Sequence, residues 1–167
     1  APIRAIQLVP KSRAAWNNRG AFKRATPDLE GASADFRRAL ELNPKYACAW
    51  KNLAAATAAK GDLDGALADF SRAIEFDPKL ADAWHDRGAV RSQKGELEGA
   101  IADRSRAVEI DPKNAKTLYE RGMLRKAHGE IEGAVADFSR GIELTPKNDS
   151  AYSGRAAAKI RLNNLAG

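Results

Sequence analysis

Asp82, His85 and Asp86 stand at i, i+3 and i+4, a spacing that puts all three side chains on one face of a helix, where two carboxylates and an imidazole can ligate a metal ion. One imidazole with two flexible carboxylates is a weak donor set, and the second histidine, His128, falls at the end of a different expected helix. A solvated helix face explains the trio better than a metal centre. The single cysteine, Cys48, excludes an internal disulfide and any two-cysteine metal site, and no histidine shares its register. The glycines follow a long period and do not gather into a phosphate-binding loop. The expectation is therefore no catalytic residue, no metal site and no cofactor. What remains are polar and apolar side chains suited to holding another polypeptide.

The elements that position them repeat. Trp16, Trp50, Trp84, Leu118 and Tyr152 lie 34 residues apart, and so do Pro10, Pro44, Pro78, Pro112 and Pro146, and again Ala32, Ala66, Ala100 and Ala134. Self-similarity at this period marks a repeat array, in which each unit buries its apolar face against its neighbours. Four complete units run 13–46, 47–80, 81–114 and 115–148. Each holds two stretches of helical periodicity: in the second unit Leu63, Ala66, Leu67, Phe70, Ala73 and Ile74 form one buried stripe. Gly61, Gly95 and Gly129 are placed to end first helices in the left-handed conformation, and Thr26-Pro27 stops the first helix of the first unit. Acidic residues such as Asp62 and Asp64, or Glu96 and Glu98, open the second helices, where the helix dipole favours anions. Asn43-Pro44, Asp77-Pro78, Asp111-Pro112 and Thr145-Pro146 break the chain between hairpins.

Trp50-x-x-Leu53-Ala54, Gly61, Ala66, Phe70, Ala73 and Pro78, with Gly88, Gly122, Ala107 and Gly141 at small-residue positions, resemble the tetratricopeptide repeat motif over nearly the whole chain. The resemblance implies an all-α, right-handed superhelical solenoid of antiparallel helix hairpins in a single domain, 1–167. Residues 1–12 read as the end of a preceding second helix, since Ala5-Ile6-Gln7-Leu8-Val9-Pro10-Lys11 matches Ala73-Ile74-Glu75-Phe76-Asp77-Pro78-Lys79. Residues 149–167 read as a terminal capping helix patterned on a first helix. The absence of a starting methionine is what a fragment or processed form would show. Two departures stand out. Arg104 replaces the aromatic of Phe36, Phe70 and Phe138, and Arg19, Arg87, Arg121 and Arg155 stand where leucine is commoner. Asp35, Asp69, Asp103 and Asp137 recur 16 residues after the arginine position, on the second helix of the same hairpin, so inter-helix arginine–aspartate bridges are expected there.

Composition narrows the partners. The net charge is +6, but much of the basic content is periodic, and the second and third units each carry one more acid than base. Nucleic acid, which needs a continuous positive track, is not the expected ligand. No apolar run suits a membrane span, so the chain reads as soluble, with a cytoplasmic location favoured and the compartment otherwise open.

By the resemblance, first helices line the concave groove. The inner face should then carry Asn17, Asn18, Ala21 and Arg24; Lys51, Asn52, Ala55 and Ala59; Asp82, His85, Asp86 and Gln93; and Lys116, Tyr119, Glu120, Met123 and Lys126. The carboxylate clamp that grips chaperone C-termini does not fit, because Asp82 and Asp86, or Asp86 and Glu120, occupy its positions in either register and would repel a carboxylate. The expected function is a protein–protein interaction scaffold that binds a peptide or protein segment in this groove, not an enzyme. Asn18, Asn52, Asp86 and Glu120 form one polar ladder, Tyr119 and Met123 an apolar anchor, and a partner of mixed charge would lie with acids near Lys23 and Arg24 and bases near Asp82 and Asp86. The alternative is a structural module that self-associates weakly, head to tail, through its incomplete end repeats.

Overall fold

The computed structural model describes residues 12–26 and 28–166. Its helices are α1 (Arg13–Arg24), α2 (Leu29–Leu42), α3 (Ala47–Ala59), α4 (Leu63–Phe76), α5 (Ala81–Gln93), α6 (Leu97–Ile110), α7 (Ala115–His128), α8 (Ile131–Leu144) and α9 (Asp149–Ala166). No strand occurs among the described residues. The all-helical reading and the repeat spacing hold. The expected leading half-repeat lies almost wholly outside the described residues, as does Pro27. Two compact units divide the chain between Val90 and Arg91, a point inside α5.

Local chemistry sets where the helices begin and end. The carboxylates of Asp28 and Asp62 accept from the amides of Gly31 and Gly65 at 2.8 and 2.9 Å, and Ser12 and Asn114 cap α1 and α7 in the same way. Gly61, Gly95 and Gly129 have φ of 89°, 80° and 96°, the left-handed geometry that lets a first helix stop and turn into its second. Thr26, in the unit lacking this glycine, instead returns its hydroxyl to the carbonyl of Lys23 at 2.7 Å. The periodic prolines also have partners. The indole N–H groups of Trp50 and Trp84 donate to the carbonyls of Pro44 and Pro78 at 2.8 and 3.0 Å, which explains why the two residue types keep one beat.

In the first unit α1 packs on α2, α2 on α3, and α3 on α4. Phe36 and Phe70 are its largest buried side chains, enclosed by alanines such as Ala32, Ala39, Ala49, Ala54, Ala66 and Ala73 whose small size lets helix axes approach. In the second unit α6 packs on α7, α7 on α8, and α8 on α9. Phe138 fills the centre between Ile131, Ala134 and Ala158. A Cβ on Gly122 would come within 2.9 Å of the Phe138 ring, so glycine there is a packing requirement. Truncating Phe36, Phe70 or Phe138 to alanine would cost about 3–5 kcal/mol.

The arginine–aspartate bridges form as expected in the hairpins α1–α2 and α7–α8. Arg19 and Arg121 each grip their aspartate through two nitrogens, with the Nε contacts at 2.7 and 2.9 Å. A second cation joins each pair: Lys23 reaches Asp35 at 3.1 Å and Arg125 reaches Asp137 at 2.9 Å. Burial alone would raise the Asp35 pKa, but hydrogen bonds from Arg19 and Lys23 outweigh it and hold the carboxyl below its ordinary value. Asp69 has Leu53 where the other hairpins have arginine, and its pKa is pushed up by burial. In the second unit Asp103 receives Arg91 at 3.0 Å, while Arg87, in the first, donates to Ser71 and lies over the Trp84 ring.

Candidate functional site

Two faces built from first helices carry the predicted site residues, one in each unit. In the first unit they do not form an open row of polar groups. Asn17 and Asn52 are 7% and 8% exposed, and the Asn52 amide donates to the Asn17 carbonyl oxygen at 2.9 Å. This bond crosses between α1 and α3. Left without partners, two buried carboxamides would each carry a desolvation cost of about 1–3 kcal/mol, so their pairing is a structural tie between hairpins. Asn18, one residue on, is exposed. The ladder register thus passes through an occupied donor at Asn52, a consequence of the helices approaching closely where the neighbouring positions are alanine.

The charged residues of the same unit lie near one another. Lys51 stands 3.6 Å from Asp82. The Asp86 carboxyl is pushed above its ordinary pKa, first by burial, against the opposing pull of His85, Lys51 and Arg24 and with a further push from Asp82. Both signs of charge therefore mix around Asp86. Lys23 is drawn to Asp35 and to the carbonyl of Gly31. Among the described residues no group of three or more His, Cys, Asp or Glu side chains is arranged to hold a metal ion.

The second unit is built differently. Tyr119 and Met123, one turn apart on α7, line two clefts at once. The first cleft, about 380 Å³, is completed by Lys126 of α7 and by Asp149, Ser150, Ser153 and Gly154 of α9. The second, about 320 Å³, is completed by Ser92, Arg104, Glu120 and Leu124. Met123 is 37% exposed, whereas the Tyr119 ring is half-buried and meets Phe138 at a centroid distance of 5.8 Å. The tyrosine is consequently a fixed wall and the methionine a movable one. Lys116, also predicted on this face, is exposed and sits 4.0 Å from Glu120.

Glu120 is also engaged by Arg104, which is 5% exposed and occupies the register filled elsewhere by phenylalanine. Sequence reading singled out both residues without joining them. The signal was the arginine at an aromatic position, which needed a carboxylate within reach of the next first helix. A third cleft, about 540 Å³, was not anticipated. Arg91, Glu96, Glu98 and His128 line it at the turn end of the unit, with His128 3.1 Å from Glu130 and 3.6 Å from Glu98. No helix among the described residues is long and apolar enough to cross a membrane.

Comparison with known proteins agrees with this architecture. Residues 56–95 match the profile described as TPR repeat, and residues 14–46 and 81–114 match that described as tetratricopeptide repeat. No curated protein shows significant sequence similarity to the chain. Among solved structures, the chain is similar to YrrB, described as a TPR protein with an unusual peptide-binding site, at TM-score 0.82 and 21% identity over 98% of this chain and 84% of that one. It is similar to MamA at TM-score 0.78 and 21% identity, covering 87% and 80%. A further match is the APC/C hetero-tetramer Cut9-Hcn1, at TM-score 0.79 and 16% identity over 97% of this chain and 32% of the other. At these identities the likeness is one of fold.

Proposed function

We propose, for a chain that belongs to the tetratricopeptide repeat family and so has the fold of a protein–protein interaction scaffold, that the α7 face of the second unit binds an extended peptide segment by an apolar side chain seated at Tyr119 and Met123. The observation that carries this reading is that one exposed methionine and one half-buried tyrosine wall two adjacent clefts. An apolar residue of the ligand gains by leaving water there, and the polar rim fixes its neighbours. Lys126 with Asp149 on one side, and Arg104 with Glu120 on the other, offer both signs of charge, so the flanking ligand residues are of mixed charge. Peptide binding by the similar YrrB supports the class of ligand.

The first unit's face is assigned a lesser part. Asn18 is open to solvent, and Arg24, Lys51, Asp82, His85 and Asp86 present intermixed charges to a polar partner segment. Such contacts set orientation and association rate and weaken as salt screens them. No catalytic, metal-binding or nucleic-acid role is assigned to either face. The reading is tested with peptides selected from a random display library on the intact chain. Selected peptides should share an apolar residue flanked by polar ones, and Met123→Glu should weaken them by about tenfold or more, equivalent to about 1.4 kcal/mol. Selection of peptides without an apolar residue, bound equally by Met123→Glu, would remove the α7 anchor.

A further inference from the structure

Met123 is the chain's one methionine, and the second unit, Arg91–Gly167, holds no other sulfur atom, because the one cysteine is Cys48. The readily oxidised indoles stand elsewhere too: Trp16, Trp50 and Trp84 all belong to the first unit. Met123 is 37% exposed on α7, and only it and Tyr119 wall both of the α7 clefts. Any change to this thioether therefore reaches both clefts at once. The Tyr119 ring, one turn earlier, is held against Phe138 and cannot retreat to compensate. Lys126, three residues on, lines the first cleft together with Met123.

We propose that Met123 is a modification site, at which hydrogen peroxide forms the sulfoxide and the sulfoxide closes the α7 anchor to apolar ligand side chains. The inference rests on the peptide-binding reading of these clefts. In the reaction a sulfur lone pair attacks one peroxide oxygen, the O–O bond breaks, and a proton shift releases water. The thioether loses two electrons and the peroxide gains them. A flexible apolar side chain thereby becomes a polar one with a strong acceptor oxygen. An apolar ligand residue seated against that oxygen would strip it of water and give no hydrogen bond in return. Lys126 can donate to the new oxygen from one turn away, which draws its ammonium group across the first cleft. Moving the ligand into the neighbouring cleft gives no escape, because the modified side chain walls that one as well. The step is reversible: a sulfoxide reductase with a dithiol reductant removes the oxygen as water while two thiols pair into a disulfide.

Exposure alone would make Met123 a target and nothing more. The geometry adds that the oxidisable atom is also the ligand's contact. A bound peptide covers the sulfur, and an oxidised sulfur rejects the peptide, so occupancy and oxidation exclude one another.

The experiment uses the intact chain carrying Cys48→Ser, which leaves Met123 as its one sulfur, and a fluorescent peptide free of Met, Cys and Trp selected on the unoxidised chain. Peroxide is applied until mass mapping shows complete conversion at Met123 with the tryptophans unchanged, and affinity is then read by anisotropy. The sulfoxide should weaken binding about tenfold or more, and treatment with the reductase should restore it. Peptide at ten times its Kd, present during the oxidation, should slow conversion of Met123 about tenfold. Met123→Leu, whatever affinity it starts from, should be unmoved by the same treatment. Unchanged affinity after full conversion, or a loss that Met123→Leu shares, would overturn the inference and leave the peptide reading standing. Conversion at the same rate with and without the peptide would place the ligand away from Met123 and overturn both. If the unoxidised chain selects no peptide, the peptide reading falls and takes this inference with it.

Discussion

The two first-helix faces use polar residues at related positions for opposite purposes. In the first unit Asn52 is spent on Asn17, Lys51 on Asp82, and Lys23 on Asp35, so polarity there largely satisfies itself. In the second unit Glu120 is drawn down to the buried Arg104, which leaves Tyr119 and Met123 as the walls of two clefts. A polar residue on a groove-facing helix is thus no guide to binding until its partner is known. Where the polar groups are mutually occupied, truncation should cost stability, and where an apolar side chain is left open, truncation should cost affinity.

The largest expected effect sharpens the stability half of this contrast. Asp137→Ala leaves the largely buried Arg121 without its carboxylate and Arg125 with only Glu130, and should destabilise the second unit by about 3–5 kcal/mol in urea unfolding. A loss under about 1 kcal/mol would show that the pair is solvated and contributes little. In the first unit, Asn52→Ala strands the Asn17 carbonyl oxygen and should cost about 1–3 kcal/mol without altering peptide affinity. A change in affinity with stability intact would return Asn52 to the binding surface.

The smallest effect compares two aspartates of one register. Asp69 has its pKa raised by burial, so the folded state holds the proton more tightly than the unfolded one, and stability falls as pH rises from the ordinary value of 3.8 through the raised one. Asp69→Asn should flatten that part of the profile and be neutral or stabilising at pH 7. Asp35 behaves in the opposite sense. Its pKa is lowered, so its contribution is present above 3.8 and is lost as pH falls through the folded value. Asp35→Asn should therefore be destabilising at pH 7 and should lose its effect in acid. Matching profiles for the two variants would contradict the assigned role of Arg19.

Much of the fold was legible because the repeat writes each instruction several times. Gly61, Gly95 and Gly129 announce the same left-handed turn, and Trp50 and Trp84 show why tryptophan and proline travel together. Pairings that follow the period, such as Arg19 with Asp35 and Arg121 with Asp137, could be anticipated. Those that break it could not. Asn17 meets Asn52 at a separation of 35, one residue off the repeat, because the two helices are offset where they touch. Arg104 reaches forward to Glu120 only because it occupies an aromatic position. The clefts at Tyr119 and Met123 depend on side-chain walls from α9 as well as α7, information that a single repeat does not contain.

The most direct test measures affinity and stability together for Met123→Ala and Asn52→Ala, using a peptide selected on the wild-type chain. The account predicts that Met123→Ala weakens peptide binding by about tenfold while leaving the unfolding midpoint in place, and that Asn52→Ala lowers the midpoint and leaves affinity unchanged. Unchanged affinity for Met123→Ala, or loss of affinity on Asn52→Ala at full stability, would contradict it.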